Sequence, residues 1–336
     1  MNQETYNPAL GCLMGALVGD AAGATLEFLE HDPTPEEAAW AMGMPGGGDL
    51  EVAPGQITDD GELTLCLAQA LTESDTFSLE NIARYYAKWV ESRPFDMGFT
   101  TSTSFGSYRS VDVSQRGYAA VMTSSAAEFC QGSKANGSLM WITPLAIWGH
   151  KLSTSELAEY AIRDTGLSHP NYSCGYAVAC SCIAIATLLN HPGNRELAFS
   201  NARKWLNTQT DLVKNSEQYH CWAEVSSWLI DAEENTTVPY FPQIGFIKIA
   251  FTHAFRHLLL GSSYEDALVE TLCGGGDTDT NACIVGGLIG AAVGVENIPL
   301  NMRTAVLNCD TTKGSHPRPD WLHLKQVEDL VRKLLK

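Results

Sequence analysis

Apolar residues recur at i, i+3, i+4 and i+7 along most of the chain, the spacing that lines one face of a helix. The pattern predicts helices near 9–23, 61–73, 79–91, 117–130, 155–164, 173–190, 195–207, 219–232, 246–260, 264–273, 280–294 and 321–335. Sustained period-two alternation, the mark of a half-buried strand, is hard to find. Ser78 before Glu80 and Ser155 before Glu156 read as helix starts, because short polar side chains cap free N–H groups. Pro45-Gly46-Gly47-Gly48 and His191-Pro192-Gly193 punctuate the joins. No low-complexity linker breaks the pattern, so the expected fold class is all-α, a compact single-domain helical bundle over residues 1–336. The longest irregular stretches are 31–57, 93–116 and 131–138, and loops this long in a compact domain are often functional.

Two of the helical stretches carry a glycine stripe. Gly11, Gly15 and Gly19 recur every four residues, and so do Gly286, Gly290 and Gly294. Glycine inside a helix costs roughly 0.5–1 kcal/mol relative to Ala, so a stripe needs a compensating reason. Close approach of two helix backbones is the expected one.

Composition narrows the classes of function. The 39 Asp and Glu against 21 Lys and Arg give a formal charge of -18, which argues against a nucleic-acid partner, since phosphate backbones are held by clustered cations. The 45% hydrophobic content is enough for a large core and argues against disorder. The polar start MNQETYNPAL lacks the pattern of a signal peptide. The longest apolar-plus-Gly run, Ala282 to Val295, is 14 residues, short of the roughly 20 that cross a bilayer, so no membrane role is expected. The ten Cys form no C-x-x-C pair and read as reduced thiols of a cytoplasmic protein, with Cys180 and Cys182 in the core. Trp222, Trp228, Tyr240 and Phe241 read as core aromatics.

The chemistry gathers in two acidic loops, each just before an apolar helix. One is Ile57-Thr58-Asp59-Asp60-Gly61-Glu62; the other is Gly274-Gly275-Gly276-Asp277-Thr278-Asp279-Thr280-Asn281. Helix capping explains one side chain of each loop but not several. If the fold joins them, Asp59, Asp60, Asp277 and Asp279 converge, and close carboxylates cannot all stay ionised unpaired. Neither loop contains a basic residue. Two divalent cations would balance four charges, and an all-oxygen Asp and Thr set suits hard ions such as Mg²⁺ or Mn²⁺.

At these residues the chain resembles the ADP-ribosylglycohydrolase family. The matching pieces are Gly11 to Gly23 with Glu27, Thr58-Asp59-Asp60, Asn136-Gly137-Ser138-Leu139-Met140, Ser168-His169-Pro170 and Gly275-Gly276-Asp277-Thr278-Asp279-Thr280-Asn281-Ala282, in family order. The resemblance implies an all-α fold with a binuclear Mg²⁺ or Mn²⁺ centre held by Thr58, Asp59, Asp60, Asp277, Asp279 and Thr280. It implies hydrolysis of the bond between ADP-ribose and a protein side chain, with Asp279, Asp60 or Glu27 as base. Asp96 resembles a substrate-side acid, which points to ADP-ribosyl-arginine. Ser133, Asn136, Gly137 and His169 fall where the family contacts ADP-ribose. The implied partners are ADP-ribosylated protein and ADP-ribose itself. Where the family often has Arg after Asn-Gly-Ser-Leu-Met, this chain has Trp141, which puts a structural salt bridge or the substrate pocket in question. ADP-ribosyl-serine or a free ADP-ribose derivative is the alternative substrate. A silent ADP-ribose-binding or transferase-blocking protein and a metal phosphohydrolase are the alternative classes.

Overall fold

The computed structural model describes residues 3–29, 31–214, 216 and 218–336. In chain order the helices are α1 (Gln3–Gly23), α2 (Pro35–Ala41), α3 (Asp59–Thr72), α4 (Leu79–Glu91), α5 (Phe99–Phe105), α6 (Val113–Arg116), α7 (Tyr118–Phe129), α8 (Gly137–Met140) and α9 (Thr143–Trp148). They continue as α10 (Thr154–Thr165), α11 (Tyr172–Asn190), α12 (Arg195–Val213), α13 (Gln218–Glu233), α14 (Ile247–Leu260), α15 (Tyr264–Cys273), α16 (Thr278–Val293), α17 (Leu300–Asn308) and α18 (Val327–Leu334). Among the described residues there is no strand, only the isolated bridges Gly47–Val52 and Ala135–Phe246. The all-α expectation holds.

Three helices form the middle of the molecule. Helices α1, α11 and α16 are buried nearly all round, as expected for helices apolar on every face. Helix α11 is long and apolar enough to cross a membrane, but 94% of that stretch is buried inside the protein, where it serves as core. Helices α1 and α16 run antiparallel with their backbones in contact. A Cβ at Gly15 would lie 2.2 Å from Gly286 O, and one at Gly290 would lie 2.1 Å from Gly11 O. The stripe therefore does what its spacing implies, except that Gly294 sits past the end of α16 at φ +80. Tyr264 of α15 donates to Gly15 O at 2.7 Å and closes the seam from the side. Outer helices such as α4 and α10 bury one face only.

Capping corrects one helix start and confirms another. Ser78 accepts from Asn81 N as expected. For α10 the cap is Ser153, not Ser155, because Ser153 and Glu156 satisfy each other's backbone N–H groups in a capping box. The 321–335 stretch is α-helical only from Val327, preceded by single 3-10 turns at Asp320–Leu322 and Leu324–Gln326. Gln326 donates to Trp321 O and His323 O, taking carbonyls that a longer helix would use. The long irregular stretches also contain short helices, with α2 in 31–57 and α5 and α6 in 93–116. Cys180 and Cys182 are core thiols, and all ten cysteines are free. Trp228 and Tyr240 are buried, Trp222 is half-buried, and Phe241 is exposed, so the last of these is not core.

Candidate active site

The antiparallel seam places the C-terminal end of α1 against the N-terminal end of α16: a Cβ at Gly23 would lie 2.3 Å from Thr278 O. The start of α3 packs at the same point. Both acidic loops thus become first turns of helices aimed at one spot, where free N–H groups favour negative charge. The bland capping explanation fails, because neither Thr58 nor Asp277 makes a side-chain cap hydrogen bond. Gly275 and Gly276 hold the loop before α16 at φ +69 and +73, a left-handed path that side chains disfavour.

The four predicted carboxylates do converge, and three more join them. Ligand oxygens of Asp20, Asp60 and Asp279 lie within 4.8 Å of one another, as do those of Glu27, Asp277 and Asp279, and those of Asp59, Asp96 and Asp279. Asp279 belongs to all three groups. Asp20 was only part of a matching sequence piece, with no role attached. It accepts from Thr58 N at 3.0 Å, from Gly61 N at 2.8 Å and from Thr58 Oγ1 at 2.8 Å, and it fixes the first acidic loop. Its signal in the sequence is a lone acid at the end of a glycine-striped apolar helix. Glu27 plays the matching part for the second loop, with its Oε2 accepting from Thr278 N at 2.7 Å and lying 2.9 Å from Thr278 Oγ1.

Charge is the dominant physical fact here. Burial pushes Asp20 and Glu27 up to about 7, Glu27 also being raised by Asp277. Burial holds Asp59, Asp60 and Asp279 well above the carboxylate range, reinforced by Asp96 at Asp59, by Asp59 at Asp60 and by Glu27 at Asp279. Asp277 is raised by burial although Asn136 Nδ2 donates to its Oδ2 at 2.8 Å. Asp96 is raised by burial and by Asp277.

The geometry fits a cation. Thr58 Oγ1 lies 2.8 Å from Asp20 Oδ1, 3.1 Å from Asp60 Oδ2 and 3.2 Å from Asp279 Oδ2, and one hydroxyl proton can serve only one of them. Asp60 Oδ1 is buried with no hydrogen-bond partner among the described residues. A buried oxygen left unsatisfied among crowded carboxylates is costly unless a cation completes it. The donor set is all oxygen, which suits hard divalent ions.

A cavity of about 270 Å³ opens over these groups. Glu27, Asp59, Asp96, Asp277, Asp279 and Thr280 line it, and no Lys or Arg does so among the described residues. Asp60 and Thr58 do not reach it; they lie beneath, fully buried. Asn136, Gly137 and His169 line the same cavity, Asn136 in direct hydrogen bond with Asp277. His169 is held neutral by burial, its pKa pushed down to about 3, and its Nδ1 meets Ser168 Oγ at 2.8 Å. Gly137 has to be small, because a Cβ there would lie 2.9 Å from His169 Cε1. Ser133 is not part of the lining. Its Oγ meets Thr100 Oγ1 at 3.1 Å, and Thr100 is the residue that lines the cavity. Phe28, Phe99, Thr101 and Ile244 also face it without a forewarning in the sequence.

Trp141, which follows Asn-Gly-Ser-Leu-Met in the sequence, is fully buried, and its ring centroid lies 6.1 Å from that of His169. Its Nε1 donates to Asp164 Oδ2 at 3.1 Å, and Tyr86 OH donates to Oδ1 at 3.0 Å. The buried Asp164 thus has two neutral donors and, among the described residues, no ion-pair partner, and burial pushes it up to about 6.

Comparison with known proteins agrees with this geometry. A family model described as ADP-ribosylglycohydrolase matches residues 1–335. The ADP-ribosyl-[dinitrogen reductase] glycohydrolase of Rhodospirillum rubrum is 27% identical over 301 residues, covering 88% of this chain and 89% of that protein. The ADP-ribosylarginine hydrolase Tri1 of Serratia proteamaculans is 25% identical over 319 residues, covering 88% of this chain and 74% of its own. A solved ADP-ribosylglycohydrolase-related protein complex shares the fold with a TM-score of 0.72 at 21% identity, over 99% of both chains. With that family model matched over residues 1–335, the chain belongs to the ADP-ribosylglycohydrolase family and is an enzyme of that class.

Proposed function

We propose that this enzyme removes ADP-ribose from modified protein side chains, with arginine as the linkage, and that two Mg²⁺ or Mn²⁺ ions serve it. The observation that carries the metal reading is Asp279 at the vertex shared by three oxygen groups. Thr58, Asp59, Asp60, Asp277, Asp279 and Thr280 would hold the ions, with Asp20 bracing Thr58 from behind. Bound cations would neutralise the carboxylates and polarise ribose hydroxyls and water.

The protein's own groups divide the remaining work. Cleavage at C1 of the ribose builds positive charge there, and a cavity lined by acids, with no Lys or Arg among the described residues, stabilises it. Glu27 lines the cavity beside Asp277 and Asp279, placed to accept a proton from a water held there. Asp279 also lines the cavity, whereas the buried Asp60 does not, so the base is assigned to the first two. Asp96 supplies a carboxylate for the departing guanidinium, and the exposed ring of Phe99 beside it offers a face for that planar cation. A neutral serine hydroxyl would use neither. The relatives named for arginine linkages support the same choice. His169, Asn136 and Gly137, which also line the cavity, would shape the ADP-ribose side. Ten free thiols suit a reducing, cytoplasmic setting.

The test is to incubate the protein with ADP-ribosyl-arginine and ADP-ribosyl-serine proteins, with Mg²⁺, with Mn²⁺ and with chelator. Release from arginine that needs metal and vanishes in Asp279→Ala is the expected result. Preferential release from serine would overturn the linkage, and tight ADP-ribose binding without turnover would overturn catalysis.

A further inference from the structure

Asp96 sits in a segment with no regular structure, residues 93–98, between α4 and α5. Such a segment is ordinarily mobile. What holds it comes from a stretch more than 200 residues downstream. Arg318, 5% exposed, donates through Nη1 to Ser92 O at 3.0 Å and Arg93 O at 3.1 Å, and through Nη2 to Ser92 Oγ at 2.7 Å. The same guanidinium grips Glu62 of α3, Nε to Oε1 at 2.6 Å and Nη2 to Oε2 at 2.9 Å. His316 stacks on Phe95, the residue before Asp96, with centroids 4.4 Å apart and planes 17° apart. Its carbonyl accepts from Gln56 Nε2 at 3.0 Å, two residues before Thr58.

One short stretch therefore ties the Asp96 segment to both flanks of the first acidic loop. Arg93 is a non-glycine residue at φ +55, a conformation that persists only when its surroundings impose it. Arg318 holds the carbonyl of that residue. Pro94, Pro317 and Pro319 restrict the backbone on either side of the junction. The result is an Asp96 oxygen held within 4.8 Å of Asp59 and Asp279.

We propose that His316 and Arg318 are positioning residues that set Asp96 against Asp59 and so fix where the departing side chain sits. The proposal rests on the reading of Asp96 as the group that holds that side chain. The experiment compares wild type with His316→Ala, His316→Phe and Arg318→Lys in the full chain. His316→Phe keeps the stacked ring, and the bond to Gln56 uses only the backbone carbonyl. Arg318→Lys keeps a charge near Glu62 but gives up the planar fork.

In His316→Ala and Arg318→Lys, amide exchange at 92–98 should rise about tenfold, while α3 and α4 stay protected. KM for an ADP-ribosyl-arginine protein should rise about tenfold, with inhibition by free ADP-ribose within about twofold of wild type. His316→Phe should match wild type in both. Unchanged exchange and KM in His316→Ala would overturn the proposal. So would equal impairment of His316→Phe, or loss of ADP-ribose inhibition in step with a falling Tm. If exchange separates Ala from Phe while even wild type leaves arginine-linked ADP-ribose intact, the positioning role stands and the substrate assignment falls.

Discussion

Asp20 and Glu27 do the same job on the two acidic loops, and they differ in what surrounds them. Each accepts the N–H of a threonine and lies within 3 Å of that threonine's hydroxyl, Thr58 for Asp20 and Thr278 for Glu27. Asp20 takes a third donor, Gly61 N, and is sealed from the cavity. Among the described residues Glu27 takes no second backbone donor, and it forms part of the cavity wall. One device thus appears twice, once as a strut and once as a group with an oxygen to spare for chemistry. Burial raises both to about 7, so an elevated pKa alone does not single out the proposed base; access to the cavity does.

The sharpest way to break the comparison is to remove each acid. Asp20→Ala strips three charged hydrogen bonds from a sealed site and should cost about 3 kcal/mol or more of stability, along with metal binding. Glu27→Gln should fold with a Tm close to wild type and lose about 100-fold or more in kcat. Thermal melts and steady-state kinetics on the pair decide it. Equal losses in both properties for both variants would erase the distinction.

A second variant tests the seam that brings the loops together. Gly15→Ala puts a methyl 2.2 Å from Gly286 O, so the helices must part, at a cost of about 1–3 kcal/mol by denaturant unfolding. If the seam aligns the loops, this variant should also weaken divalent-cation binding, as Asp20→Ala does.

A pH effect should arise away from both loops. Asp164 is an acid whose folded pKa is raised from 3.8 to about 6. The folded protein holds that proton more tightly, so its stability is intact below pH 3.8, declines as pH rises toward 6, and is flat above. At 1.36 kcal/mol per unit, the shift is on the order of 3 kcal/mol. Asp164→Asn should flatten the fall in Tm between pH 4 and 6. A slope identical to wild type would assign that fall to the acids of the loops instead. The smallest effect is at the start of α10, where Ser153→Ala should cost about 1 kcal/mol and Ser155→Ala almost none.

The sequence pattern exposed the long helices because burial on one face needs a repeat over several turns. Helices α5, α6, α8 and α9 are too short to show a period and lie within stretches that read as loops or joins. The two acidic loops were legible because several oxygens crowd into a few residues. Asp20 was not, since one acid in an apolar helix carries no local pattern, and its partners Thr58 and Gly61 lie 38 and 41 residues away. His316 and Arg318 were invisible for the same reason at greater range. Ser133 is tied to ADP-ribose by resemblance alone, and in the structure its hydroxyl meets that of Thr100, which lines the cavity.

The central claim is that Asp279 is the shared vertex of a two-cation site. Titrating Mn²⁺ into wild type and Asp279→Ala by calorimetry tests it directly. The account predicts two ions on wild type and loss of both in the variant, because all three oxygen groups include Asp279. A single ion on wild type, or binding that survives Asp279→Ala, would contradict it.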